Sequence, residues 1–149
     1  KREGGVKGLD YLSPRVFTLQ AQVLECRVKP SRPVGETFID AFGSRPEKFP
    51  DRGMRRRALI GVGKLDLGSA MRLIPLDQGV EILGGSSDHT ILDVEDCPRP
   101  LTAEDILKFE LDYTAVLFLT AGSHVAVDYL PAGEATASAG PVLKNACLL

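Results

Sequence analysis

The chain reads as an all-β domain, a barrel or a sandwich. Three observations predict this class. Its apolar runs are strand-length and alternate with polar residues, Gly- and Pro-rich turns separate them, and no long 3.6-residue period appears. At 149 residues the chain is one domain's worth, long enough to bury a single core.

Residues 1 to 14 are turn-rich and read as a linker, 15 to 130 as the β domain, and 131 to 149 as a small, polar, Ala-rich tail. From Val16 to Val28, Phe17, Leu19, Ala21 and Val23 recur at spacing two, with Thr18, Gln20 and Gln22 between them. That is a long, half-buried strand. Lys29-Pro-Ser-Arg-Pro-Val-Gly35 ends it, because proline removes ladder donors and glycine permits a turn. Glu36 to Gly53 has no period and reads as a loop with one short strand around Phe38 to Phe42.

Arg55, Arg56 and Arg57 lead into the next apolar run and read mainly as a solvated edge that discourages strand pairing. Gly79 to Leu83 is apolar and runs into Gly84-Gly85, read as a tight turn. Thr90 to Val94 follows, then a turn at Asp96 to Pro100. Thr102 to Asp105 is expected to form one helical turn capped by Thr102. Ile106 to Tyr113 alternates, with Leu107, Phe109, Leu111 and Tyr113 on the apolar side. Ala115 to Leu119 and Val125 to Tyr129 are read as further runs among these short strands.

Composition narrows the function classes. A net charge of −2 gives no overall electrostatic footprint for nucleic acid or an anionic membrane. Tryptophan is absent and aromatics make up only 6%, which argues against a base-stacking surface. The longest apolar stretches stay under about 12 residues, too short to span a bilayer. Cys26, Cys97 and Cys147 are odd in number and form no CxxC, which fits a reducing compartment. With no basic-then-apolar leader visible, a cytoplasmic setting is expected. His89 and His124 have no metal-ligand spacing, so no metal site is expected.

Two segments carry the chemistry: Ala58-Leu-Ile-Gly-Val-Gly-Lys-Leu-Asp66 and Leu83-Gly-Gly-Ser-Ser-Asp-His-Thr-Ile-Leu-Asp-Val94. Each joins a β-branched run to small and charged residues, the way a β domain presents polar side chains at strand ends. Lys64 reads as an acid or base, as the salt-bridge partner of Asp66, or as a clamp for a substrate carboxylate. Asp88 reads as a ligand for a cation or as a turn residue bonding its own backbone. Tyr113 reads as a phenol donor or as an aromatic facing the core. Ser86 and Ser87 lack a histidine–acid partner set, so no serine nucleophile is read.

In order along the chain, these segments resemble the C-terminal β domain of the alanine racemases. Val62-Gly-Lys-Leu-Asp66 is similar to the family's Ile-Gly-Tyr-Ala-Asp-Gly stretch. Ser86-Ser-Asp-His89 followed by Thr-Ile-Leu-Asp93-Val is similar to its Ser-Met-Asp-Gln and Asp-Val strand. Gly35-Glu36 and Asp40-Ala-Phe-Gly43 resemble its Gly…Ser-Tyr-Gly strand, and Leu111-Asp-Tyr113 its Pro-Tyr-Glu segment. The branch containing ornithine racemases looks nearest, through Asp-Ala-Phe-Gly, the arginine-rich strand and Ser-Ser-Asp-His.

The resemblance implies a barrel-like C-terminal domain of the alanine racemase type. It implies pyridoxal 5'-phosphate, held mainly by a separate (β/α)₈ barrel that precedes this region, and a homodimer in which each β domain completes the partner's active site. The substrate would be a small amino acid such as ornithine, lysine or alanine, and the isolated region would be inactive. Lys64 stands where the family has its catalytic tyrosine, and so becomes the acid or base on one face of the substrate. Asp88, with Ser87 and His89 beside it, becomes the substrate-binding group, and Tyr113 the cofactor-phosphate contact. Two other readings stay open. One is a fold-type III decarboxylase domain, which would need a cysteine donor, although Cys97 lies in a Pro-rich turn. The other is a β-barrel binding or dimerisation module with no catalytic role.

Overall fold

The computed structural model describes residues 16–32, Gly43, 50–122, 125–129 and the backbone of 146–148. Among the described residues there are eight strands: β1 (Thr18–Pro30), β2 (Met54–Ile60), β3 (Leu73–Pro75), β4 (Glu81–Gly85), β5 (Thr90–Asp93), β6 (Ile106–Leu111), β7 (Ala126–Val127) and β8 (Ala146–Leu148). Two helices interrupt them, α1 (Lys64–Leu67) and α2 (Tyr113–Ala121), and a 3-10 turn covers Ala70–Arg72. Six strands in the order β3-β6-β1-β2-β5-β4 form a nearly closed antiparallel barrel. Mostly β and barrel-like is therefore the correct description of the fold.

β1 is the hub. Thr18 to Gln22 pair with Ile106–Glu110 of β6, and Leu19 to Ala21 pair on the other side with β8. After an irregularity between Val23 and Glu25, the strand pairs with β2 as far as Pro30. At that irregularity Val23 exchanges backbone hydrogen bonds with Glu104 and Asp105. The bulge lets one strand serve both halves of the barrel by bending between them.

The alternation read from the sequence places the core correctly. Leu19, Ala21 and Val23 are buried, as are Leu107, Phe109 and Leu111. They meet Ala58, Ile60, Val62 and Leu92 inside the barrel. Gln20 departs from the pattern, being buried although it sits on the polar side, because β6 and β8 flank it on both edges.

Several expectations are corrected. Ala115 to Leu119 is not a strand but lies in α2. The segment is apolar at nearly every position, so it shows no period to distinguish helix from strand. Its helical state is set at its start, where the Asp112 carboxylate accepts a hydrogen bond from the Ala115 amide at 2.8 Å. Arg55 to Arg57 do not guard an edge, since β2 lies between β1 and β5. Each guanidinium finds an acceptor: Arg55 on Asp93 and Asp96, Arg56 on Glu95, and Arg57 on the Ser31 carbonyl.

Thr102–Asp105 is a turn and not a helical one, with Glu104 at φ 80° in the left-handed region. Gly84 and Gly85 belong to β4, where Gly84 adopts φ 152° at a bulge. The reversal comes after them, at Ser86 to His89. The short strand expected around Phe38 to Phe42 falls outside the described residues, as does most of the Gly35 to Gly43 likeness.

Candidate functional site at the junction of two strand ends

β2 ends at Ile60, and the chain then passes through Gly61-Val-Gly63 into α1. Lys64 and Asp66 therefore sit on a helical turn rather than at a strand end as expected. Asp66 is the reason. Its carboxylate accepts from the Gly63 amide at 3.0 Å, while its own amide donates to the Gly63 carbonyl at 3.1 Å. This reciprocal cap closes the turn and commits the Asp66 carboxylate to the backbone.

The hairpin between β4 and β5 reverses at Ser86 to His89. The Ser86 amide donates to the His89 carbonyl at 2.8 Å, and the His89 amide donates to Ser86 Oγ at 3.2 Å. Ser86 thus does the work of the turn residue. Among the described residues, the Asp88 carboxylate makes no hydrogen bond or ion pair and is exposed. Ser87 is half-buried and the His89 side chain is exposed.

These two segments, distant in sequence, meet backbone to backbone. The first amides of α1 need acceptors outside the helix. Lys64 donates to the Ser86 carbonyl at 2.9 Å and Leu65 to the Ser87 carbonyl at 3.0 Å. Below them, buried Thr90 donates from Oγ1 to the Val62 carbonyl at 2.7 Å. Gly63 lies so close that a Cβ there would fall onto the Ser87 carbonyl and the Asp88 amide. The structure therefore brings Lys64, Ser87, Asp88 and His89 to one corner, on backbone that is hydrogen-bonded across the junction. Sequence reading missed the cap role of Asp66, the turn role of Ser86 and the contact made by Gly63. The one available signal was Gly-Val-Gly itself, since paired glycines mark close backbone approach.

Tyr113 is not on a strand as expected but is the first residue of α2, 77% exposed. α2 packs against α1, so Tyr113 and Lys64 lie on neighbouring helices. Asp112 just before it also accepts from Arg72 Nη1 at 2.7 Å. Burial pushes the Asp112 carboxyl up, but the Ala115 amide and Arg72 outweigh that and hold it below the usual carboxylate range. The Tyr113 phenol makes no hydrogen bond among the described residues.

A second polar cluster lies at the far end of β5. Asp93, 3% exposed, accepts from Arg55 Nε at 2.6 Å, from Arg55 Nη2 at 3.0 Å and from the Glu95 amide at 3.1 Å. Burial pushes its carboxyl up, yet Arg55, the Glu95 amide and the Arg57 charge together bring it below its ordinary value. Among the described residues, no group of three or more His, Cys, Asp or Glu is placed to hold a metal. No helix among them is long and apolar enough to cross a membrane.

No family model matches the chain, and no solved structure matches it. Two curated proteins do. Ornithine racemase of Acetoanaerobium sticklandii is 43% identical over 102 residues, covering 68% of this chain and 28% of that protein. Lysine racemase of Thermotoga maritima is 41% identical over 109 residues, covering 73% of this chain and 30% of that protein. The chain thus matches less than a third of the length of either relative. A nearly closed antiparallel barrel, with 41–43% identity to these two enzymes over most of the chain, makes this a racemase-related β domain of the alanine-racemase-like type.

Proposed function

We propose that this chain is the C-terminal β domain of a pyridoxal-phosphate-dependent racemase acting on a dibasic amino acid such as ornithine or lysine, and that it completes the active site of a partner subunit in a homodimer. One observation carries the reading. The two segments that look most like the racemases are locked together, with Lys64 and the open Asp88 carboxylate presented at the same corner. The similarity to an ornithine and a lysine racemase supports the substrate class.

Each residue then has a task. Asp88 accepts charge-assisted hydrogen bonds from the distal ammonium of the substrate. Lys64 holds or gives a proton at Nζ on one face of the substrate's α-carbon, the role a tyrosine has in alanine racemases. Ser87 and His89, flanking Asp88, line the same corner and orient the substrate chain. Pyridoxal phosphate, when bound, withdraws electrons from the α-carbon and makes its proton labile. The residues described here fit a contact at the cofactor's edge and not its whole cradle. The exposed Tyr113 phenol at the start of α2 is a neutral donor that can meet a phosphate. The chain by itself is inactive in this reading, and its free thiols at Cys26 and Cys97 accord with a cytoplasmic setting.

The experiment is α-proton exchange of L-ornithine, L-lysine and L-alanine in deuterated water. It uses the whole polypeptide encoded by the gene, with pyridoxal phosphate added, and the 149-residue chain alone alongside it. Exchange with loss of optical rotation in the first and none in the second is expected. In the whole protein, Lys64→Ala should lower kcat/KM by about 10²–10⁴-fold. A whole protein that binds no pyridoxal phosphate and exchanges no α-proton would leave a β-barrel binding or assembly module.

A further inference from the structure

We infer that Gly63 is a positioning residue: its missing side chain sets the distance between Lys64 and Asp88, and through it the side-chain length of the amino acid accepted. This rests on the function proposed above and deepens it.

Lys64 and Asp88 belong to segments that are remote in sequence, so nothing local fixes their separation. It is fixed at the junction. The Ser87 carbonyl and the Asp88 amide occupy the space a Cβ on Gly63 would take. The obstacle is backbone, which cannot rotate aside as a flexible side chain can. Two hydrogen bonds, Lys64 to Ser86 and Leu65 to Ser87, then fasten each segment's backbone within one residue of its functional side chain. Ser86 Oγ holds the turn's shape from within, and the Thr90 hydroxyl ties it to Val62 beneath. Moving the turn away from α1 would move the Asp88 carboxylate relative to Lys64.

A dibasic substrate must reach from its α-carbon to Asp88 with its distal ammonium. Ornithine and lysine differ by one methylene, a difference that a fixed site typically converts into discrimination of about 10–200-fold. A methyl group inserted at Gly63 pushes the turn outward on the scale of such a step. The longer substrate should gain relative to the shorter one. Gly85 also lies close to backbone, at the His89 carbonyl, but that contact is internal to the β4–β5 turn and does not join it to α1, and Gly84 faces open space.

The test compares Gly63→Ala with the parent in the whole enzyme, measuring kcat and KM for ornithine and lysine separately. Leu107→Val on β6 serves as a control destabilised away from the corner. The expected result is a change of about 10-fold or more in the ornithine-to-lysine ratio of kcat/KM, carried mainly by KM, in Gly63→Ala and not in the control. In the 149-residue chain, the Lys64 and Leu65 amides should exchange with solvent faster in the variant, while β1 and β6 amides keep their protection.

Should Gly63→Ala fail to fold, Ser86→Ala loosens the same turn from within without crowding α1, and it should also shift the ratio. Faster exchange at Lys64 and Leu65 with an unchanged ratio would overturn the inference and leave the racemase reading standing. A parent enzyme that racemises neither dibasic amino acid would overturn both.

Discussion

β5 carries an aspartate near each end, and the two are used in opposite ways. Asp93, at the strand's last residue, is 3% exposed and receives three hydrogen bonds, two from Arg55 and one from the Glu95 amide. Asp88, two residues before the strand begins, is exposed and has no partner among the described residues. Burying a carboxylate without a cation is prohibitive, so the satisfied one belongs to the architecture. The other sits in a turn held by the Ser86–His89 hydrogen bonds and packed on Gly63, and its side chain is left for something outside the fold. Rigid backbone beneath an unsatisfied charge is how a binding group is preorganised, since its geometry is set before the ligand arrives.

The contrast breaks most sharply at Asp93. Asp93→Ala strands Arg55 with Asp96 alone and should destabilise the domain by about 3 kcal/mol, read from urea midpoints. A loss below about 1 kcal/mol would place Asp93 with the ordinary surface carboxylates.

Acid sharpens the same contrast. The Asp93 carboxyl ionises at lower pH in the fold than in the unfolded chain. Its stabilisation is therefore complete above the ordinary carboxylate range and is lost as pH falls through the folded value, below about pH 4. Asp105 and Asp112 shift in the same direction, Asp105 chiefly through the Thr102 amide and hydroxyl. Midpoints measured from neutral pH down to about pH 3 should fall for the parent. They should fall less for Asp93→Asn, so that the two curves converge. Parallel curves would remove Asp93 from the acid limb.

The smallest effect on stability is expected at the other end of the strand. Asp88→Ala should change the unfolding free energy by no more than about 0.5 kcal/mol. In the whole enzyme the same substitution should raise KM for ornithine and lysine while leaving alanine unaffected. A large loss of stability would return Asp88 to the role of a turn residue.

Much of the fold was legible in the sequence, because burial follows the two-residue period wherever a strand has one wet face. β1 and β6 show this, and so does the proline and glycine punctuation between the strands. Legibility failed where local pattern carried no contrast. α2 is apolar all round, so only the capping Asp112 separates it from a strand. The arginines of β2 read as solvent-facing because their acceptors, Asp93, Glu95 and Asp96, lie far along the chain. The same limit applied at the corner. The residue types of Lys64 and Asp88 drew notice, but their meeting depends on Gly63 touching the Ser87–Asp88 peptide, a contact that no spacing rule encodes.

β1 is among the first parts of this domain to leave the ribosome, yet residues 19–21 receive one of their neighbours only from 146–148. The β4–β5 hairpin can close as soon as it is made, whereas the hub strand must wait until residues 146–148 have been made. The sheet is therefore completed by a contact remote in sequence, which forms late. In the interval, the exposed flank of β1 is a stretch that a chaperone or a neighbouring nascent chain can occupy.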